Sequence, residues 1–296
     1  MAMLEETLKY LKKSFWVLAF VAVVPALIIS FFAKPFSSIT FLPLLFVGQT
    51  DYHFSEIFMM MLTPISNASF WGGFVGNVLF FVLFWISCVL GVCIVEKHLK
   101  TGTLTPKTSA HQFFSYVLPI LLALIMWSAL YLVSAVAQSG FISLIHFICG
   151  VTPPSFIDCL LSTFISILVF GGVMYCSIHL MFMPLIMVYY GYGWRESLVE
   201  SLRMTSKNYK DVLLGFGLPM VIIIGVNFVL SLVTALLIRF ANLSEVARYW
   251  IDYIISVATH IMIIVYLIAY DVVAFYKLSG LERRDIKRYE RRNYVN

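Results

Sequence analysis

Residues 159–194 read CLLSTFISILVFGGVMYCSIHLMFMPLIMVYYGYGW, and from Cys159 to Trp194 there is no Asp, Glu, Lys or Arg. A continuous helix over that length would measure about 50 Å, against about 30 Å for the hydrocarbon core of a bilayer. The stretch is apolar enough to sit in lipid and too long to cross it as one straight rod, so it must bend, tilt or leave the membrane. Pro184 marks the expected break, because an internal proline removes a backbone donor and clashes with the preceding turn. A turn through Gly191 and Gly193 follows. After it, Trp194, Leu198, Val199 and Leu202 fall on one helical face while Arg195, Glu196, Glu200, Arg203 and Lys207 cover the rest. This pattern predicts an amphipathic helix on the inner membrane surface.

The rest of the chain has the same character. Of its 296 residues 61% are hydrophobic and 12% charged, where an ordinary soluble domain has about 45 to 50% and about 25%. That excludes a soluble globular enzyme, because so much apolar surface must face something other than water. Uncharged apolar runs read as six membrane spans: Phe15 to Ala33, Phe70 to Val95, Phe114 to Ala137, Leu160 to Tyr190, Val212 to Ile238 and Tyr249 to Tyr276. The expected fold is an all-α polytopic membrane protein with six transmembrane helices and added interfacial helices. A membrane domain would cover 1–276 and a basic cytoplasmic tail 277–296. The apolar core of the first span is about 19 residues, longer than the hydrophobic part of a signal peptide, and reads as a span.

Orientation follows from the cations. Lys9, Lys12 and Lys13; Lys97, Lys100 and Lys107; Arg195, Arg203, Lys207 and Lys210; and Lys277, Arg283, Arg284, Lys287, Arg288, Arg291 and Arg292 would share one side. They are 17 of the 20 Lys and Arg, leaving Lys34, Arg239 and Arg248 for the other side. Cationic loops stay in the cytoplasm, so the protein is expected in the cell membrane, multi-pass, with both termini inside. The N-terminal piece, with Leu4, Leu8, Leu11 and Phe15 on one stripe beside Lys9, Lys12 and Lys13, is expected to rest on anionic headgroups. The C-terminal tail reads as a solvated helix touching the same headgroups, not as a nucleic-acid binder.

On the outer side, Phe41 to Val47 and Ile57 to Leu62 are apolar pieces too short to cross and are expected to cap the bundle. Phe141 to Phe147, followed by Pro153 and Pro154, predicts a shallow interfacial helix. Cys149 and Cys159 lie in or beside that loop, where a disulfide and two free thiols are equally compatible with the sequence.

The run from Pro184 to Gly193, leading into Ser197-Leu-Val-Glu-Ser201, resembles one loose bacterial family of six-helix integral membrane proteins. Its relatives include the membrane domain attached to some glycerophosphodiester phosphodiesterases. The closing Tyr276-Lys-Leu-Ser-Gly-Leu-Glu-Arg-Arg284 is similar to that family's final helix exit. Tyr189 and Tyr190 stand where the family has an acidic residue, and Ser197 where alanine is common. The resemblance covers the membrane part alone, so it implies a fold and no phosphodiesterase activity.

Ionisable and polar groups inside spans are the first functional suspects, since each is costly in lipid. His179, Asn227, His260 and Asp271 form the candidate intramembrane set. His260 and Asp271, eleven residues apart, return to nearly the same helix face and would line one stripe. The bland alternative has His260 bonding a carbonyl, Asp271 pairing with a cation near the inner surface, and Asn227 joining helices. Catalytic signatures such as G-x-S-x-G, H-E-x-x-H or Walker A are missing, and the scattered histidines point to no metal or cofactor. The sequence therefore leads to a non-enzymatic membrane component of an assembly or of lipid organisation, with a protein partner or second copy allowed. A small transporter or channel for a lipid-like substrate is the alternative. An intramembrane enzyme would need His179 close to His260 or Asp271. Single cysteines placed between Lys97 and Lys107 are expected to react with an impermeant maleimide only after cells are opened; labelling of intact cells would reverse the orientation.

Overall fold

The computed structural model describes residues 2–32, 70–105, 108–149, 156–241 and 244–285. Among them the chain is all-helical: α1 Ala2–Phe32, α2 Phe70–Thr101, α3 Ala110–Cys149, α4 Phe156–Leu180, α5 Met183–Tyr190, α6 Trp194–Lys207, α7 Tyr209–Ala241 and α8 Glu245–Leu278. Five stretches of these are long and apolar enough to cross a membrane: Met3–Phe31, Val78–Thr101, Ala110–Ile145, Gly171–Tyr190 and Tyr249–Leu278. The expected fifth span falls in α7, a 33-residue helix many of whose outer side chains lie outside the described residues.

Helix α8 is the central post, with α1, α2 and α7 packed against it. Between Ile264 and Tyr276 almost every residue is buried, as expected of a helix that is apolar all round. Helix α3 packs on α2, α4 on α3, and α6 lies against both α4 and α5. Trp16 and Phe20 on α1 are 82% and 79% exposed, so large apolar side chains face outward, where a soluble protein would place polar ones.

Helix α1 corrects the expected N-terminal arrangement. It runs unbroken from Ala2, and the stripe it buries is Met3, Thr7, Tyr10, Ser14, Leu18, Ala22, Ala26 and Ser30. Of the stripe expected to rest on headgroups, Leu8 is exposed, while Leu4, Leu11 and Phe15 are half-buried. Thr7 and Ser14 are tolerated inside because their hydroxyls bond the carbonyls of Met3 and Tyr10, at 2.9 and 3.0 Å. Ala22 and Ala26 let the helices approach closely.

Two more expectations change. The segment from Phe141 to Phe147 is no separate interfacial helix: α3 continues through it to Cys149, a 40-residue helix about 60 Å long. The tail expected to be solvated from Lys277 is tied to the bundle as far as Asp285. Lys277 and Arg283 both pair with Glu6 of α1, and Arg283, 7% exposed, makes bonds of 3.1 and 2.9 Å to Asp285. The Arg284 N–H donates to the Leu99 carbonyl at 2.8 Å, capping the end of α2. Residues 286–296 and the segment 33–69, where the apolar caps were expected, lie outside the described residues.

Two of the helix-internal prolines, Pro25 and Pro219, are accommodated by neighbours. Pro25 cannot donate to the Val21 carbonyl, and the Ser87 hydroxyl of α2 does so at 2.9 Å. Pro219 cannot donate to Gly215, and the Tyr266 hydroxyl of α8 takes that carbonyl. One turn on, Tyr270 Oη donates to Val212 at 3.0 Å. A Cβ at Gly215 would stand 2.6 Å from Tyr270 Oη, and Tyr270 is fully buried with no space to withdraw. Gly215→Ala is therefore expected to lower stability by about 1 to 3 kcal/mol, read as a lower melting temperature of the purified protein in mild detergent. Gly225→Ala, where nothing lies within 4 Å, should melt like the parent.

Candidate functional site

The break expected at Pro184 lies just before it. Helix α4 ends at Leu180, a turn covers Met181 and Phe182, and Pro184 occupies the first turn of α5, where a missing N–H costs nothing. Met181 through Ile186 are buried, so the discontinuity sits within the packed interior. Helix α5 ends on Gly191 at φ 67°, a left-handed cap suited to glycine. Gly193 then caps α6, its N–H bonded to the Glu196 carboxylate at 3.2 Å.

The Gly191–Gly193 turn returns α6 alongside the break. The face it buries is Ser197, Ser201 and Thr205, at i, i+4, i+8 spacing. Ser201 Oγ donates to the His179 carbonyl at 2.6 Å, one of the last carbonyls of α4. His179 Nδ1 and Thr205 Oγ1 are 2.5 Å apart. Thr205 Oγ1 also reaches the Ser201 carbonyl at 2.8 Å, while His179 Nε2 is buried without a hydrogen-bond partner. Tyr175 sits edge-on to the ring at 4.5 Å and Tyr209 faces it at 6.1 Å. Trp194, Val199 and Leu202 remain exposed on the outer face of α6.

The other members of the expected set do not join His179. His260 Nδ1 lies 2.7 Å from the Ser256 carbonyl and 3.1 Å from Ser30 Oγ, tying α8 to the C-terminal end of α1. Asp271, about 16 Å further along α8, has Oδ1 buried with no hydrogen-bond partner, while the nearby basic residue Lys277 pairs with Glu6. Asn227 belongs to α7, but its side chain is outside the described residues, as are those of Cys149 and Cys159. His260 and Asp271 lie on one helix, as expected, with different surroundings: His260 is bonded and Asp271 Oδ1 is not. Among the described residues no three His, Cys, Asp or Glu are placed to hold a metal ion.

A cavity of about 410 Å³ lies elsewhere, between the end of α2 and the start of α3. Its wall includes Glu96, Lys97, Lys100, Gln112, Tyr116 and Val188. Glu96, 3% exposed, is held by Lys100 Nζ at 2.5 Å and Gln112 Nε2 at 2.7 Å. Lys100 also lies over the Tyr189 ring, 4.7 Å from its centroid, and the Tyr189 hydroxyl bonds that of Tyr276. Sequence reasoning passed over Glu96 because its neighbours Lys97 and Lys100 read as a solvated basic loop. The spacing of Glu96 and Lys100, i and i+4 with the acid first, was the available signal for a local pair.

Among the described residues, these features define an all-helical protein with five helices long and apolar enough to cross a membrane and a cavity between α2 and α3. No family model, curated protein or solved structure matches the chain.

The α4–α6 contact makes its own test. Ser201→Ala removes the hydroxyl on the His179 carbonyl, and Thr205→Val removes the partner of His179 Nδ1. Each is expected to cost about 1 to 3 kcal/mol as a buried unsatisfied group, seen as a lower melting temperature. Ser206→Ala, on the exposed face, should change little.

Proposed function

We propose that the protein is a non-enzymatic component of the cell membrane, a six-span relative of the bacterial family it resembles, with both termini in the cytoplasm. It would support a membrane assembly or organise lipid, with anionic headgroups on its inner side and a protein partner or second copy as its companions. The observation that carries this reading is how the intramembrane polar groups are spent. His179, His260, Ser87, Ser201, Tyr266 and Tyr270 all bond across helix interfaces, which holds helices together. The exposed apolar faces of α1 and α6 fit lipid contact. A transporter of a lipid-like substrate is the second reading, favoured by the cavity between α2 and α3 that Val188 of α5 helps to line.

Reconstitution distinguishes them. Proteoliposomes carrying the purified protein are expected to move protons, cations and fluorescent phospholipid no faster than empty vesicles. Cross-linking in native membranes is expected to capture a defined partner or dimer. Flux above background that disappears with His179→Ala or His260→Ala would replace this proposal with transport.

A further inference from the structure

Beyond Leu278 the chain turns back across the ends of α1 and α2, and residues 279–285 are held there as a strap. The Ser279 and Leu281 N–H groups donate to the Phe275 and Tyr276 carbonyls at 2.9 and 3.0 Å, and Gly280 takes a φ of 66°, which ends the helix and reverses the chain. The strap docks through its backbone, with the Arg284 N–H on the Leu99 carbonyl at 2.8 Å. Gly102 leaves room for this approach, since a Cβ there would stand 2.9 Å from the Arg284 carbonyl oxygen. Arg283 is buried against Asp285 and Glu6.

His98 lies beside this contact, one residue before the carbonyl that the strap binds, and is itself 7% exposed. Its Nδ1 is 3.3 Å from the Tyr10 hydroxyl of α1, and the two rings meet at 5.4 Å. The charged groups that face it are Asp285 and Arg283 of the strap and Lys13 of α1. Both carboxylates of the knot are already engaged: Asp285 holds Arg283 with both oxygens, and Glu6 holds Lys277 and Arg283. A proton on His98 would set a further cation, shielded from water, beside Arg283 and Lys13. Asp285 is the one facing anion that could answer it, and to do so it must give up part of its two-bonded grip on Arg283. Lifting the strap lets water reach the imidazolium instead. The lifted form therefore binds the proton more readily, and by linkage acid favours lifting.

We infer that the strap 279–285 is an acid-released latch, closed across the ends of α1 and α2 while His98 is neutral and lifted when His98 takes a proton. Lifting frees the Leu99 carbonyl and uncovers Glu6 and His98 at that end of the bundle. The latch stands apart from the lipid and transport readings and from the side of the membrane on which this end lies.

The test is hydrogen–deuterium exchange of the strap amides in the full chain, in mild detergent, with each rate expressed relative to an unstructured peptide at the same pH. Protection of the strap is expected to fall about tenfold between pH 8 and pH 5.5, the equivalent of about one pKa unit of differential proton binding, while the α8 amides between Ile264 and Ala274 stay protected. His98→Gln, which keeps a partner for the Tyr10 hydroxyl and takes no proton in this range, is expected to hold the strap equally at both pH values. Gly102→Ala is expected to leave the strap unprotected at both. Equal protection of the parent at pH 8 and pH 5.5, or the same loss in His98→Gln, would overturn the inference. The parent alone also decides it, because a midpoint below about pH 5 belongs to the carboxylates of Glu6 and Asp285 and would overturn the role of His98. Protection retained in Gly102→Ala would overturn the docking of the strap on the end of α2.

Discussion

A backbone carbonyl that loses its donor inside a membrane bundle has no water to turn to, and much of this structure is arranged around that constraint. Pro25 and Pro219 each remove an N–H from a long helix, and in both cases a hydroxyl from the adjacent helix takes the carbonyl four residues back. At the α4–α5 break the same need recurs at the end of a helix, and Ser201 answers it by bonding the carbonyl of His179. Each repair fixes the rotation and depth of one helix against another, because a hydroxyl must arrive within about 3 Å of one particular oxygen. The prolines therefore do more than bend helices: they specify which neighbour lies alongside.

Charge is handled by the same economy. Glu6 binds Lys277 and Arg283, drawing together the start of α1, the end of α8 and the strand of chain beyond it. Glu96 is buried with Lys100 and Gln112 around it, joining α2 to α3. Both carboxylates sit at the end of the bundle where the basic residues gather, and neither is left without a cation. Breaking one partner would strand a desolvated charge, which costs more than the pair contributes. Deeper in the bundle, Ser87, Tyr266, Tyr270 and His260 bond across helix interfaces. Asp271 Oδ1, Trp127 Nε1, Ser143 Oγ and His179 Nε2 differ, each buried without a hydrogen-bond partner.

Periodicity told which segments were helical and apolar, and it located the discontinuity near Pro184 to within a few residues. It did not name the buried faces. On α1 the leucine stripe was expected to rest on headgroups, and the buried stripe, one residue round the helix, includes Thr7, Ser14 and Ser30. On α6 the apolar face is exposed, and Ser197, Ser201 and Thr205 are inside. The reason is common to both: when the exterior is lipid, large apolar residues gain nothing by turning inward. Small hydroxyl residues pack closer and bring a donor with them. Rules drawn from soluble proteins point the wrong way in this setting. The cavity was invisible for a related reason. Glu96 and Tyr116 stand 20 residues apart on different helices, and nothing local to either position announces the other.

From the amino-acid order alone came the helical class, the long apolar segments, the break before Pro184 and the one-sided distribution of cations, since all are properties of composition and local spacing. Only the tertiary structure decided which side of each helix faces inward, that His179, His260 and Asp271 occupy separate surroundings, and that Lys277 to Asp285 folds back onto the bundle. Those outcomes depend on which carbonyl meets which hydroxyl and which carboxylate meets which cation, and such meetings exist only once distant helices lie side by side.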